Sequence, residues 1–246
     1  HVKVALKPNF GKTTFLFSAL KHNQIDIYPE FTGSVLETLV KGNNPKSMTA
    51  NETYQLAKQR LAKQDQLSLL KPMAYNNTYA LAVTKKFKKD HQLSTISDLT
   101  QVESLLKPGM TLEFIDRDDG LKGLKKAYNL DVTAQSMEPA LRYQAISQGR
   151  INLVDAYSTD SELRQYNLAI LKDDKHFFPT YQGAPLMSTS FANKHPKVVK
   201  ALNKLAGKIS ETDMQEMNYE VNVKNESAAT VARNYLIKHG LLEGSN

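Results

Sequence analysis

A chain of 246 residues, 41% hydrophobic and 23% charged, can bury a sizeable core as one large domain or two smaller lobes, which excludes intrinsic disorder. It has no cysteine and no apolar run of the roughly 18 residues that a membrane span needs, which excludes disulfides, thiolate ligands and a spanning helix within this stretch. The formal charge of +7 is carried partly by Lys85, Lys86, Lys88 and Lys89 and by Lys122, Lys125 and Lys126, at surface-helix spacings without interleaved aromatics, so no nucleic-acid partner is expected.

In chain order, residues 2–6 alternate like a strand and lack the pattern of a signal peptide. Residues 13–22 put Phe15, Leu16, Ala19 and Leu20 on one helical face, 25–28 read as a strand, and 33–41 read as a helix. A helix over 51–64 precedes a strand over 73–83, then a short helix over 85–91 and another over 99–106 opened by Asp98. Residues 111–115 read as a strand, 120–128 as a helix, 140–148 as a helix, and 151–156 and 168–171 as strands. The carboxyl end reads as helices over 196–208, 213–223 and 227–239, the last closed by Gly240, with a tail at 243–246.

Strands alternating with helices predict mostly parallel sheets with helices on both faces. The expected architecture is α/β and two-lobed: residues 1–80 and 185–246 form one lobe, residues 81–184 form the other, and the chain crosses near 79–83 and 181–185.

The chemistry of an enzyme is missing. His1, His22, His91, His176, His195 and His239 offer no paired spacing for a metal. Gly120-Leu121-Lys122-Gly123 lacks the remaining glycine and the strand lead-in of a phosphate-cradling loop. The Asp118-Asp119 and Asp173-Asp174 pairs read as turn and cap residues rather than as an acid and a base. No catalytic residue, cofactor or metal is expected.

Five ordered strings carry a pattern. They are Ile25-Asp26-Ile27-Tyr28-Pro29-Glu30-Phe31-Thr32-Gly33-Ser34, Tyr75-Asn76-Asn77-Thr78-Tyr79-Ala80-Leu81, and Glu113-Phe114-Ile115-Asp116-Arg117-Asp118-Asp119-Gly120-Leu121. Asp155-Ala156-Tyr157-Ser158-Thr159-Asp160 and Asp173 to Tyr181 complete them. Across nearly its whole length the chain resembles the substrate-binding component of the glycine betaine, carnitine and choline class of ABC importers. The resemblance implies a periplasmic-binding-protein-like fold of type II, with a ligand cleft between two lobes, outside the cytoplasm at the bacterial cell membrane. It implies an ABC permease and its ATPase as partners, and a small quaternary-ammonium ligand.

That ligand has no N–H to donate, so ring faces are the main means of recognising it. By motif position the rings are Phe31, Tyr79, Tyr157 and Tyr181, with Tyr28 and Tyr75 as neighbours able to exchange roles with Phe31 and Tyr79. Phe31 stands where the family motif carries tyrosine. The resemblance puts Arg117 against a ligand carboxylate, for which its guanidinium is well matched, and Ser34 and Asn77 at further polar contacts. The strings Lys7-Pro8-Asn9-Phe10-Gly11-Lys12-Thr13 and Tyr28 to Gly33 look most like the ergothioneine-importer branch, in which the binding domain is often fused to the permease. Asn9, Glu30 and Asn77 are then the groups available to the imidazole-thione ring. Glycine betaine, carnitine or choline as an osmoprotectant, and a role in bile tolerance, are the alternatives that the resemblance leaves open. The family also carries a strand and a helix ahead of the segment equivalent to residues 2–6.

Overall fold

The computed structural model describes residues 2–8, 10–45 and 47–243. Asn9 and residues 244–246 lie outside them. The described strands are β1 (Ile27–Phe31), β2 (Leu67–Leu69), β3 (Tyr79–Thr84), β4 (Pro108–Met110), β5 (Gln135–Ser136), β6 (Leu153–Tyr157), β7 (Leu168–Ile170) and β8 (Gly183–Ser188). Tertiary contacts divide the chain into unit 1, His1–Asn77 with Pro179–Ser210, and unit 2, Thr78–Phe178 with Glu211–Asn246.

Unit 1 is built on a three-stranded sheet in the order β1-β8-β2, with both pairs antiparallel. Leu67 and Leu69 of β2, Ala184 and Leu186 of β8, and Tyr28 of β1 turn into one core with Leu20, Val35, Leu36, Ala57 and Leu61. Helix Ala50–Asp65 supplies Ala57 and Leu61, and a capping box starts it: Thr49 accepts from the Glu52 N–H, and Glu52 accepts from the Thr49 N–H.

Unit 2 has a five-stranded sheet in the order β5-β4-β6-β3-β7. Alternate residues of β3 face opposite cores: Leu81 and Val83 pack with Leu99, Met110, Phe114 and Leu124, whereas Ala82 packs with Tyr143, Ile146, Val154 and Ala156. A strand buried on both faces reads as a continuous apolar run, which Ala80-Leu81-Ala82-Val83 is.

Several sequence expectations are corrected. The sheets are not mostly parallel: in unit 1 both pairs are antiparallel, and in unit 2 β3 runs antiparallel to β6 and β7, leaving only β4 parallel to β5 and β6. The reason is that β3 and β8 each follow a crossing of the chain between units and enter their sheets from that connection. Residues 111–115 are not a strand. Thr111 accepts from the Phe114 N–H and caps helix Leu112–Asp116, in which Phe114 alone is buried. Residues 2–6 form no strand, and Val2, Val4 and Leu6 are 65%, 73% and 84% exposed. The segment from Glu211 onward, grouped above with the first lobe, packs in unit 2. There Gln215 donates to the Ser158 carbonyl, Asn218 donates to the Thr159 carbonyl, and Arg164 pairs with Glu216. Among the described residues no helix is long and apolar enough to cross a membrane.

Candidate functional site

The seven expected contact residues divide between the units, and each half is described by itself. Phe31, Ser34, Asn77 and Tyr181 belong to unit 1, and Tyr79, Arg117 and Tyr157 to unit 2.

In unit 2, Tyr79 opens β3 and Tyr157 closes β6, and the antiparallel register sets them directly opposite each other. Directly paired positions bring aromatic side chains into contact. The two rings stack at 4.8 Å and 20°, with their hydroxyls 3.3 Å apart. Phe114 lies 5.1 Å and Phe178 6.4 Å from the Tyr79 ring, so Tyr79 is backed by the core. Burial, helped by the Tyr157 hydroxyl, holds the Tyr79 hydroxyl well above its ordinary range. Tyr157 is 43% exposed.

The Arg117 guanidinium sits 5.9 Å from the Tyr79 ring centre. Its Nε and Nη2 donate to the two oxygens of Asp119, each at 2.6 Å, and Nη1 donates to Glu113 at 3.0 Å. This bidentate pair holds the Asp119 carboxyl below its usual range. Arg117 is thus a partner of carboxylates within its own chain, and the trio carries a net negative charge beside the tyrosines.

The loop after β6 is fixed from beneath. Asp160 Oδ2 accepts from the Tyr157 N–H at 3.0 Å and from the Tyr143 hydroxyl at 2.6 Å, and burial raises its carboxyl above the ordinary range. Ser158 Oγ accepts from the Thr78 N–H at 3.0 Å. Deeper in, Arg142 and Asp155, 4% and 2% exposed, pair at 3.2 Å, and Asp155 also accepts from the Thr111 N–H and hydroxyl.

In unit 1, Phe31 ends β1 opposite Gly183. The Tyr75 ring lies over Gly183, where a side chain would run into the Tyr75 hydroxyl, and it meets Phe31 edge to face at 6.3 Å and 77°. Tyr181 lies over Gly33, where a Cβ would come within 2.6 Å of both the Tyr181 ring and the Thr180 carbonyl. The Tyr181 backbone is pinned on both sides: its N–H donates to Asn76 Oδ1 at 2.6 Å, and its carbonyl accepts from the Asn77 N–H at 2.9 Å. Glu30, 2% exposed, accepts from the Tyr28 hydroxyl at 2.9 Å and from the Phe31 N–H at 2.7 Å. Burial lifts its carboxyl above the ordinary range against both hydrogen bonds. Ser34 and Asn77 are half-buried.

The structure therefore joins Tyr79, Tyr157 and Arg117 in one cluster, and Phe31 with Tyr75 in another. Sequence reasoning named Tyr75 only as a substitute and did not foresee Phe114, Phe178 or Asp160 around the rings. A carboxylate three residues after Tyr157 was visible, but nothing in the string shows that it turns back to the Tyr157 N–H.

The family model of the substrate-binding domain of the ABC-type glycine betaine transport system matches residues 1–238. The chain is 34% identical over 232 residues to the ergothioneine transport permease/ergothioneine-binding protein of Helicobacter pylori, with 94% of this chain and 41% of that protein covered. It therefore spans less than half the length of that relative. It is 32% identical over 253 residues to the carnitine transport binding protein of Listeria monocytogenes, covering 100% of this chain and 80% of the relative. The crystal structure of a glycine betaine/carnitine/choline ABC transporter superposes with a TM-score of 0.88 at 33% identity, covering 95% of this chain and 86% of the other. These similarities establish a periplasmic-binding-protein-like fold and a family of solute-binding domains, not of enzymes. The chain belongs to the family of substrate-binding domains of ABC-type glycine betaine transport systems.

Proposed function

We propose that the ligand this domain hands to its importer is a quaternary-ammonium compound with a carboxylate, met by the rings of Phe31, Tyr79, Tyr157 and Tyr181. The observation that carries this reading is the Tyr79–Tyr157 stack, one ring core-backed and the other 43% exposed, beside a net-negative Arg117–Asp119–Glu113 trio. Ring faces and net negative charge both favour a cation, and each ring is worth about 0.5–2 kcal/mol to a quaternary ammonium. Arg117 keeps N–H groups beyond the three used internally, and the exposed Glu113 is the partner that a ligand carboxylate displaces. Ser34 and Asn77 supply further polar contacts.

Ergothioneine stands first among the candidates, supported by the likeness to the Helicobacter pylori relative. Asn77 is the polar group for its ring, while Glu30, buried and engaged by Tyr28 and Phe31, orients the Phe31 backbone. Glycine betaine and carnitine are the alternatives that carry a carboxylate, supported by the other relatives, and choline, which offers no carboxylate to Arg117, is the alternative that the similar solved structure names. The proposed partners are an ABC permease, in the same polypeptide or a separate one, and its ATPase, with this domain on the extracytoplasmic side of a bacterial membrane.

Isothermal titration with ergothioneine, glycine betaine, carnitine and choline tests the reading. Saturable heat with one of them, weakened about 2- to 30-fold in Tyr157→Ala, is expected from the loss of one ring. Equal binding by the variant removes Tyr157 from the site.

A further inference from the structure

Charge is divided very unequally between the units. Unit 1 carries fifteen Lys and Arg against five Asp and Glu, a formal +10, whereas unit 2 carries seventeen against twenty, a formal −3. The basic character of the whole chain is the property of unit 1.

Within unit 1 the excess is concentrated in one stretch. Residues 179–210 contain no Asp or Glu, while Lys194, Lys197, Lys200, Lys204 and Lys208 follow at steps of three and four. Helix Pro196–Leu202 and the 3₁₀ turn Asn203–Leu205 carry the middle three. That spacing keeps side chains on one side of a helix, and Val198, Val199, Leu202 and Leu205, at the intervening positions, are half-buried. All five lysines are exposed, and among the described residues none of them forms an ion pair.

The stripe continues into the amino-terminal segment. A groove of about 510 Å³ is lined by Lys194, His195 and Phe191 on one side and by Val2 and Lys3 on the other, with Asp26 its one carboxylate.

We propose that this face of unit 1 is a docking surface for an anionic lipid bilayer. Fourteen of the fifteen cations of unit 1 are lysine, and its single arginine, Arg60, is spent on the Asn43 carbonyl and the Asn44 side chain. Flexible point charges suit a fluid array of headgroups, whereas a shaped acidic protein surface is met better by the planar fork of arginine and by aromatic anchors. The proposal does not depend on which solute the domain captures.

The test is sedimentation of the 246-residue chain with vesicles of phosphatidylcholine alone and of phosphatidylcholine containing about one third phosphatidylglycerol, at low and high salt. Binding is expected only to the anionic vesicles and is expected to fall with salt. Lys197→Gln/Lys200→Gln/Lys204→Gln is expected to lower the partition coefficient about 100-fold, roughly fivefold per lysine. Lys122→Gln/Lys125→Gln/Lys126→Gln in unit 2 is expected to leave it within about twofold, because those lysines are not part of the stripe. Equal binding to both vesicle types overturns the proposal, as does equal loss in the two variants. So does absence of binding to lipid combined with lysine-dependent binding to permease-containing vesicles, which assigns the face to a protein partner.

Discussion

The Asp160 carboxylate holds the Tyr157 N–H at 3.0 Å, with the Tyr143 hydroxyl on the same oxygen at 2.6 Å. The exposed ring of Tyr157 is therefore aimed by a half-buried acid that need not touch the ligand. Asp160→Asn keeps the shape and removes the charge, and it weakens both hydrogen bonds by about 1 kcal/mol each. Titration calorimetry is expected to show severalfold weaker ligand binding, with the Tyr157→Ala defect no longer additive to it. Full additivity would separate Asp160 from the ring.

Gly33 has an ordinary backbone conformation, so its need for a missing side chain is steric. Gly33→Ala drives a Cβ to within 2.6 Å of the Thr180 carbonyl and the Tyr181 ring, and overpacking of this kind costs about 1–3 kcal/mol. The expected outcome is a lower midpoint in urea together with a loss of ligand affinity.

Glu30 is a buried acid whose carboxyl sits above its ordinary range because of burial. The folded state then holds the proton more tightly than the unfolded chain, so this group adds stability as pH falls from neutral toward the ordinary carboxylate range. Urea unfolding of wild type and Glu30→Gln at several pH values should show the difference moving in favour of wild type on acidification. Movement in the other direction would falsify the assignment.

Arg142 and Asp155 form the innermost ion pair of unit 2, 4% and 2% exposed. Arg142→Ala leaves Asp155 buried without its cation, which costs about 3–5 kcal/mol. Arg142→Met/Asp155→Leu, which removes both charges, is expected to recover much of that loss in chemical denaturation. A double variant no better than the single one would show that Asp155 is held mainly by Thr111.

Much of this was legible in the chain. Ala80-Leu81-Ala82-Val83 was legible as the apolar end of a strand, and residues 51–64 were legible as a helix. The order of the five motifs carried the family. What the string could not show was direction and distance. Thr111 to Ile115 contains β-branched and aromatic residues, yet the Thr111 hydroxyl on the Phe114 N–H turned it into a helix. Arg117 was legible as a cation for a carboxylate, but its neighbours at +2 and −4 took that role first because both reach its fork without strain. The place of the final helices was hidden because it depends on Gln215 and Asn218 reaching the Ser158 and Thr159 carbonyls, contacts without a local signature.

The middle strand of unit 1, β8, is the last of its three to leave the ribosome, since Tyr28 waits for Leu186 and Leu69 for the same residue. Until then the chain carries two short edges with no partner, Ile27–Phe31 and Leu67–Leu69, while all but the final segment of unit 2 has already been made. Nascent chains halted before Gly183 therefore expose strand edges open to pairing with other chains. Synthesis of this domain has a vulnerable interval that closes with a six-residue strand.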